Sequence, residues 1–185
     1  MAASTAPFYL ISAFGASPFA GNPAAVVFID TQSYPSETYA KIAITLNQPM
    51  TAFVSSINLP SEDSGVIVRS VRFFVPSGKE IPICGHATLA TGKALFGMPE
   101  ISQSNVHTIL LKNSYGHTLK ISKLEGGFFQ IQLPSTTPGT LSDAEKARLK
   151  ASVDKAFGRD VAVVDIKNGG DTYKNCKCRN KSSYF

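Results

Sequence analysis

The chain has 185 residues, 43% of them hydrophobic and 17% charged, and its net charge is +5. These proportions fit a globular chain long enough to bury a core and exclude a disordered one. The basic excess gathers after Ile166, where Lys167, Lys174, Lys177, Arg179 and Lys181 face one acid, Asp171. The body is close to neutral, so nucleic acid is not an expected partner.

No apolar run is long enough to span a membrane, and none is expected to. The start, MAASTAPFYLIS, lacks the basic and apolar regions of a secretory signal. Three cysteines, two of them in the last ten residues, make no disulfide framework, and a reduced cytoplasmic protein is expected.

In chain order, Pro7–Phe14 and Ala24–Ile29 read as two strands of a hairpin. The loop between them carries Gly21-Asn22-Pro23, with Asn22 as a turn residue. Ser36 is expected to cap a helix from Glu37 to about Leu46, with Tyr39, Ile42, Ala43 and Leu46 on one face. Asn47-Gln48-Pro49 ends it, and Met50–Ser56 is the next strand.

After a polar loop, Val66–Val75 is β-branched and aromatic and runs as a strand into Pro76-Ser77-Gly78. Ala87–Phe96 is small and apolar nearly all round, which predicts a helix buried on most sides. Gly97-Met98-Pro99 stops it. Val106–Lys112, His117–Lys123 and Phe128–Leu133, joined by glycine-bearing turns, predict an antiparallel meander. His107 and His117 lie on it with no carboxylate or cysteine at metal spacing, so no metal site is expected. Ser142 caps a helix over Asp143–Phe157, whose apolar face is Ala144, Ala147, Leu149, Val153 and Phe157. Val161–Ile166 is one more strand. Together these elements predict an α+β fold, a strongly curved, mostly antiparallel sheet wrapped around a central buried helix.

Between the long strand and the buried helix sits Cys84-Gly85-His86. A helix start carries unpaired N–H groups and the positive end of the macrodipole, so it attracts anions. Gly85 lets a carboxylate approach the backbone. His86 would stand beside that anion as donor or proton carrier, and Cys84 would be a thiol whose pKa the helix lowers. The plainer reading makes Cys84 small core filler, Gly85 a turn residue and His86 a satisfied cap.

Two motifs add a resemblance. Arg72-Phe73-Phe74 followed by Pro76, Glu80, Pro82 and Cys84-Gly85-His86-Ala87-Thr88-Leu89-Ala90 closely resembles the phenazine-biosynthesis PhzF-like family of the diaminopimelate-epimerase-like superfamily. So does Phe14 with Pro18-Phe19-Ala20-Gly21-Asn22-Pro23-Ala24-Ala25-Val26-Val27. The resemblance covers roughly residues 8–170 and suits the N-terminal half of a family member. It implies two pseudo-symmetric halves with the active site between them, and an isomerase or epimerase that moves a proton on a small carboxylate-bearing metabolite without cofactor. It implies that Gly85 and His86 hold the substrate carboxylate and that the loop with Asn22 borders the cleft.

The sequence departs from that pattern in two places. Where the family carries its acid/base glutamate, the register held by Asn47, Thr51, Ala52 and Phe53 places Met50. A thioether moves no proton, so proton transfer is expected to be impaired. Cys84 and His86 are then the remaining candidate catalytic groups, and a non-catalytic binding homologue is the alternative. The second departure is the end of the chain. Residues 7–166 read as the PhzF-like N-terminal domain plus the start of a second half, and residues 167–185 as an atypical basic tail. That tail is expected of a truncated or mis-spliced product, or of a one-domain protein that forms a homodimer.

Overall fold

The computed structural model describes residues 5–15, 17, 19–59, 61–134, 139–168 and 174–178. The chain falls into two compact units, residues 1–134 and 135–185.

The first unit holds strands β1 (Phe8–Ala13), β2 (Asn22–Phe28), β3 (Thr51–Val54), β4 (Val66–Phe74), β5 (Glu80–Ile81), β6 (Thr108–Lys112), β7 (Thr118–Lys123) and β8 (Phe129–Gln132). Its helices are α1 (Ser36–Leu46), α2 (Gly85–Phe96) and the short α3 (Pro99–Ser102). All eight strands form one sheet in the order β1-β2-β3-β4-β6-β7-β8, with β5 attached to β4. Pairs joined by turns or loops are antiparallel. The two pairs joined through a helix, β2 with β3 and β4 with β6, are parallel. The fold is α+β, a curled mixed sheet around α2, and most of its pairings are antiparallel as the sequence predicts.

Strand direction explains where the helices lie. Crossovers between parallel strands are right-handed. β4 runs opposite to β3, so a right-handed crossover from β4 places its helix on the other face from the crossover that leaves β2. The alternation of side chains along the strands agrees. Val27, Phe53 and Phe74 pack with Tyr39 and Ala43 of α1. Val26, Ala52, Val54, Val71 and Phe73 pack with Ala87, Ala90, Ala94 and Leu95 of α2.

Eight of the twelve residues of α2 are buried. The approach to the sheet is tight at Gly92, where an added Cβ would lie 2.7 Å from Ile121 Cγ2 on β7. Gly97 caps the C-terminus, and Pro99 opens α3 instead of an irregular stop.

Three expectations need correction. Ser36 does not cap α1: the N-cap is Pro35, with no side-chain cap bond. Ser36 Oγ instead accepts a 2.5 Å hydrogen bond from Arg72 Nη2, a charge-assisted donor stronger than a backbone N–H. Arg72 is also paired in two-pronged fashion with Glu80, Nε to Oε1 at 3.0 Å and Nη2 to Oε2 at 2.6 Å. Asn22 is not a turn residue; it opens β2 and pairs with Ala13. The start of a strand is where Pro23, lacking an N–H, is tolerated.

The third correction concerns the second unit. Here α4 (Asp143–Phe157) starts at a complete capping box between Ser142 and Glu145. Strand β9 (Val163–Asn168) pairs antiparallel with β10 (Lys174–Cys178), a strand in a stretch where the sequence predicts none. The apolar face expected of α4 is not buried, and Phe157 is 63% exposed. A two-stranded hairpin offers one helix too little surface to cover such a face.

The α2–β7 contact yields a test. Gly92→Ala gains about 1 kcal/mol of helix propensity, but overpacking against Ile121 costs about 1–3 kcal/mol. Urea unfolding is expected to show net destabilisation; a stabilised variant would mean that β7 yields freely.

Candidate functional site

The first turn of α2 stands at the end of the sheet where β2 and β3 begin. Cys84 is its N-cap, in extended conformation, and makes no side-chain cap bond. A thiol is too weak an acceptor to act as serine or aspartate does. The buried hydroxyls beyond it are satisfied within the helix: Thr88 Oγ1 donates to the Cys84 carbonyl at 2.7 Å and Thr91 Oγ1 to that of Ala87 at 2.8 Å.

Cys84 Sγ lies 3.2 Å from His86 Nδ1. The thiol is 8% exposed. Burial pushes its pKa up, and the backbone N–H groups of Ala87 and His86 pull it down by less. The expected helix-driven thiolate is therefore absent, because desolvation outweighs the N–H groups of the first turn. Burial likewise holds the His86 pKa below the ordinary imidazole value, opposed by the Pro23 carbonyl nearby. Thiol and imidazole are both neutral at pH 7. His86 Nε2 is buried and makes no hydrogen bond of ordinary geometry.

Gly85 is not crowded. A Cβ there would meet Leu133 Cδ1 at 3.6 Å and Ile131 Cδ1 at 3.9 Å, ordinary contacts, so the fold's own packing does not require glycine. Met50 is 4% exposed and belongs to the same buried cluster as Cys84 and Ala87. Its carbonyl accepts the Ala25 N–H at 2.9 Å, which ties it to β2.

The structure therefore brings together Cys84, Gly85, His86 and, in the shared cluster, Met50. Sequence reasoning missed three neighbours, Pro23, Ile131 and Leu133. The Pro23 carbonyl was hidden because the Gly-Asn-Pro run reads as turn chemistry. Ile131 and Leu133 were visible only as the apolar alternation of β8. The thiol–imidazole pair gives a neutral, partly desolvated polar cluster beside free helix N–H groups. It can donate to an acceptor, and Met50 of the shared core cluster cannot exchange a proton.

A separate cavity of about 500 Å³ lies on the α1 side of the sheet, lined by Thr31, Ser36, Ser70, Arg72, Glu80 and Lys112 among others. It is remote from the start of α2 in chemistry, since the Arg72 charge is matched by Glu80. Among the described residues no three His, Cys, Asp or Glu side chains gather as metal ligands would. The side chains of Cys176 and Cys178 lie outside the described ones. No helix among the described residues is long and apolar enough to cross a membrane.

The sequence profile of a family described as phenazine biosynthesis-like protein matches residues 11–173. Phenazine biosynthesis-like domain-containing protein 2 of Mus musculus is 32% identical over 180 residues, 96% of this chain and 58% of that protein. A protein named as an uncharacterised isomerase in Halalkalibacterium halodurans is 34% identical over 134 residues, 72% of this chain and 45% of its own length. The crystal structure of a phenazine biosynthesis protein of the PhzF family from Enterococcus faecalis is similar with a TM-score of 0.60 and 27% identity. That match covers 88% of this chain and 54% of the other. The chain thus spans about half the length of the curated relatives it matches.

The buried imidazole makes stability depend on pH. With the folded-state pKa of His86 depressed below 6.5, the unfolded chain takes up the proton first as the pH falls. The stability tied to the neutral ring is complete above pH 6.5 and is lost as the pH falls below that toward the folded-state value. Urea midpoints at pH 7.5 and 5.5 should fall in the wild type and fall less in His86→Gln. Equal losses in both would show that the ring is not desolvated. Asp30 and Asp154, held below the usual carboxylate value by their hydrogen bonds, act only in a separate, more acidic window.

Proposed function

The chain belongs to the family of phenazine biosynthesis-like proteins, and from that premise we propose that the first turn of α2 is one side of an isomerase or epimerase site. Here Gly85 and His86 hold the carboxylate of a small metabolite while a proton is moved without metal or organic cofactor. The observation that carries this reading is the buried, partnerless Nε2 of His86 beside uncapped helix N–H groups. Such a group costs free energy until an acceptor arrives, and a carboxylate satisfies the ring and the helix start together. The name of the Halalkalibacterium relative supports an isomerase class.

Methionine at position 50 favours a second reading, a homologue that binds and does not turn over. General acid–base catalysis contributes about 10²–10⁴-fold, so without a proton-transfer group there the holding function outlasts the chemistry. Exchange of the hydrogen α to a carboxylate with D₂O, followed by NMR on a panel of small carboxylic acids, separates the two. The wild type should exchange slowly and Met50→Glu about 10²-fold faster, with the gain lost in Met50→Glu/His86→Ala. A folded Met50→Glu that exchanges no faster would overturn the assignment of position 50. A fast wild type would overturn the binding-only reading and give the proton transfer to Cys84 or His86.

A site of this kind has a second wall, and we assign it to a second copy of the chain. Two-fold symmetry lets identical lobes face one another. Light scattering after size exclusion should give a discrete dimer; a discrete monomer would refute the pairing.

A further inference from the structure

We propose that Cys84 is a positioning residue whose thiol donates to His86 Nδ1 and so fixes the ring in the Nε2–H form, a neutral donor presented to the ligand. The identity of that ligand as a carboxylate rests on the function proposed above; the tautomer does not.

Two observations carry the assignment. The first is the 3.2 Å contact between Cys84 Sγ and His86 Nδ1, which requires one hydrogen between the two atoms. Sulfur is a weak acceptor and an imidazole nitrogen a good one, so this contact is best made with the S–H as donor and Nδ1 as acceptor. The second is the other ring nitrogen, Nε2, which is buried with no hydrogen-bond partner. In a neutral ring whose Nδ1 accepts from the thiol, Nε2 is the nitrogen left to carry the hydrogen.

The opposite arrangement, Nδ1–H toward sulfur, would set a good donor against a weak acceptor and leave Nε2 a bare buried acceptor. A thiolate–imidazolium pair would place two charges where burial raises the thiol pKa and lowers that of the ring. Both alternatives lose. The second nitrogen of a histidine is commonly set by the bond the first one makes; here the setting group is a thiol two residues before it.

This role has a functional consequence. Recognition at the start of α2 would use neutral donors, the ring N–H and the helix N–H groups, and no formal positive charge. Ligand holding would then survive a rise in pH through 6.5, the ordinary imidazole value, whereas a site built on imidazolium would lose it.

Long-range ¹H–¹⁵N correlation of the imidazole at pH 7.5 tests the proposal on the folded chain. The wild type should show Nε2 protonated and an Nδ1 resonance displaced by an accepted hydrogen bond. That displacement should vanish in Cys84→Ala and return in Cys84→Ser, which keeps a donor. A wild-type ring protonated at Nδ1, or at both nitrogens, overturns the proposal, as does an Nδ1 resonance unmoved in Cys84→Ala. Should the variants fail to fold, the wild-type spectrum decides alone. Sodium acetate added to the wild type is the second arm. Movement of the Nε2–H signal supports the donor role together with the carboxylate reading. A ring found in the Nε2–H form with no response to acetate supports the tautomer and removes the carboxylate.

Discussion

Helix α2 has almost no polar face to offer water. Eight of its twelve residues are buried, with Lys93 on its exposed side. A helix apolar on most sides has to be surrounded, and one flat sheet covers only one side of it. The strands therefore curl, so that β2, β3, β7 and β8 all reach it. The tightness of that embrace shows at Gly92 and Ile121. The buried threonines Thr88 and Thr91 meet the same constraint by returning their hydroxyls to the helix backbone.

The same burial shapes the chemistry at the start of the helix. Free N–H groups and the macrodipole favour negative charge there by about 0.3–1 kcal/mol in exposed settings. Removing a thiolate from water costs more than that, so Cys84 stays protonated. The helix start is thus electrostatically prepared for an anion that its own side chain does not supply. On the function proposed above, the role of anion falls to a ligand, with Cys84 and His86 as neutral groups around it.

Much of this was legible in the sequence, for identifiable reasons. The all-round apolarity of Ala87–Phe96 can be satisfied only inside the fold. The period-two runs of Val66–Phe74 and of the meander specify strands by the face they must bury. Ser142 followed by Glu145 writes its own capping box. What stayed hidden depends on long-range geometry. Ser36 has the chemistry of a cap, and only folding brings Arg72 to compete for it across 36 residues. The charges of Arg72 and Glu80 stood out within an apolar motif, yet their mutual pairing over β4 and β5 is a property of the sheet. Local sequence also suggested a lowered thiol pKa for Cys84, because propensity rules describe the helix end and not the depth at which it lies. The apolar stripe of α4 shows the converse: a face can be written in the sequence without the described structure burying it.

Met50 carries a last consequence. Its side chain points into the main core, and its carbonyl is held by β2 whatever side chain the position bears. An apolar occupant there contributes roughly 1.5–3 kcal/mol by burial, while an unpaired carboxylate in the same place pays about that much or more in desolvation. On the function proposed above, a glutamate at position 50 would therefore gain a proton-transfer group and lose folding free energy at once, so packing and chemistry would pull that position in opposite directions.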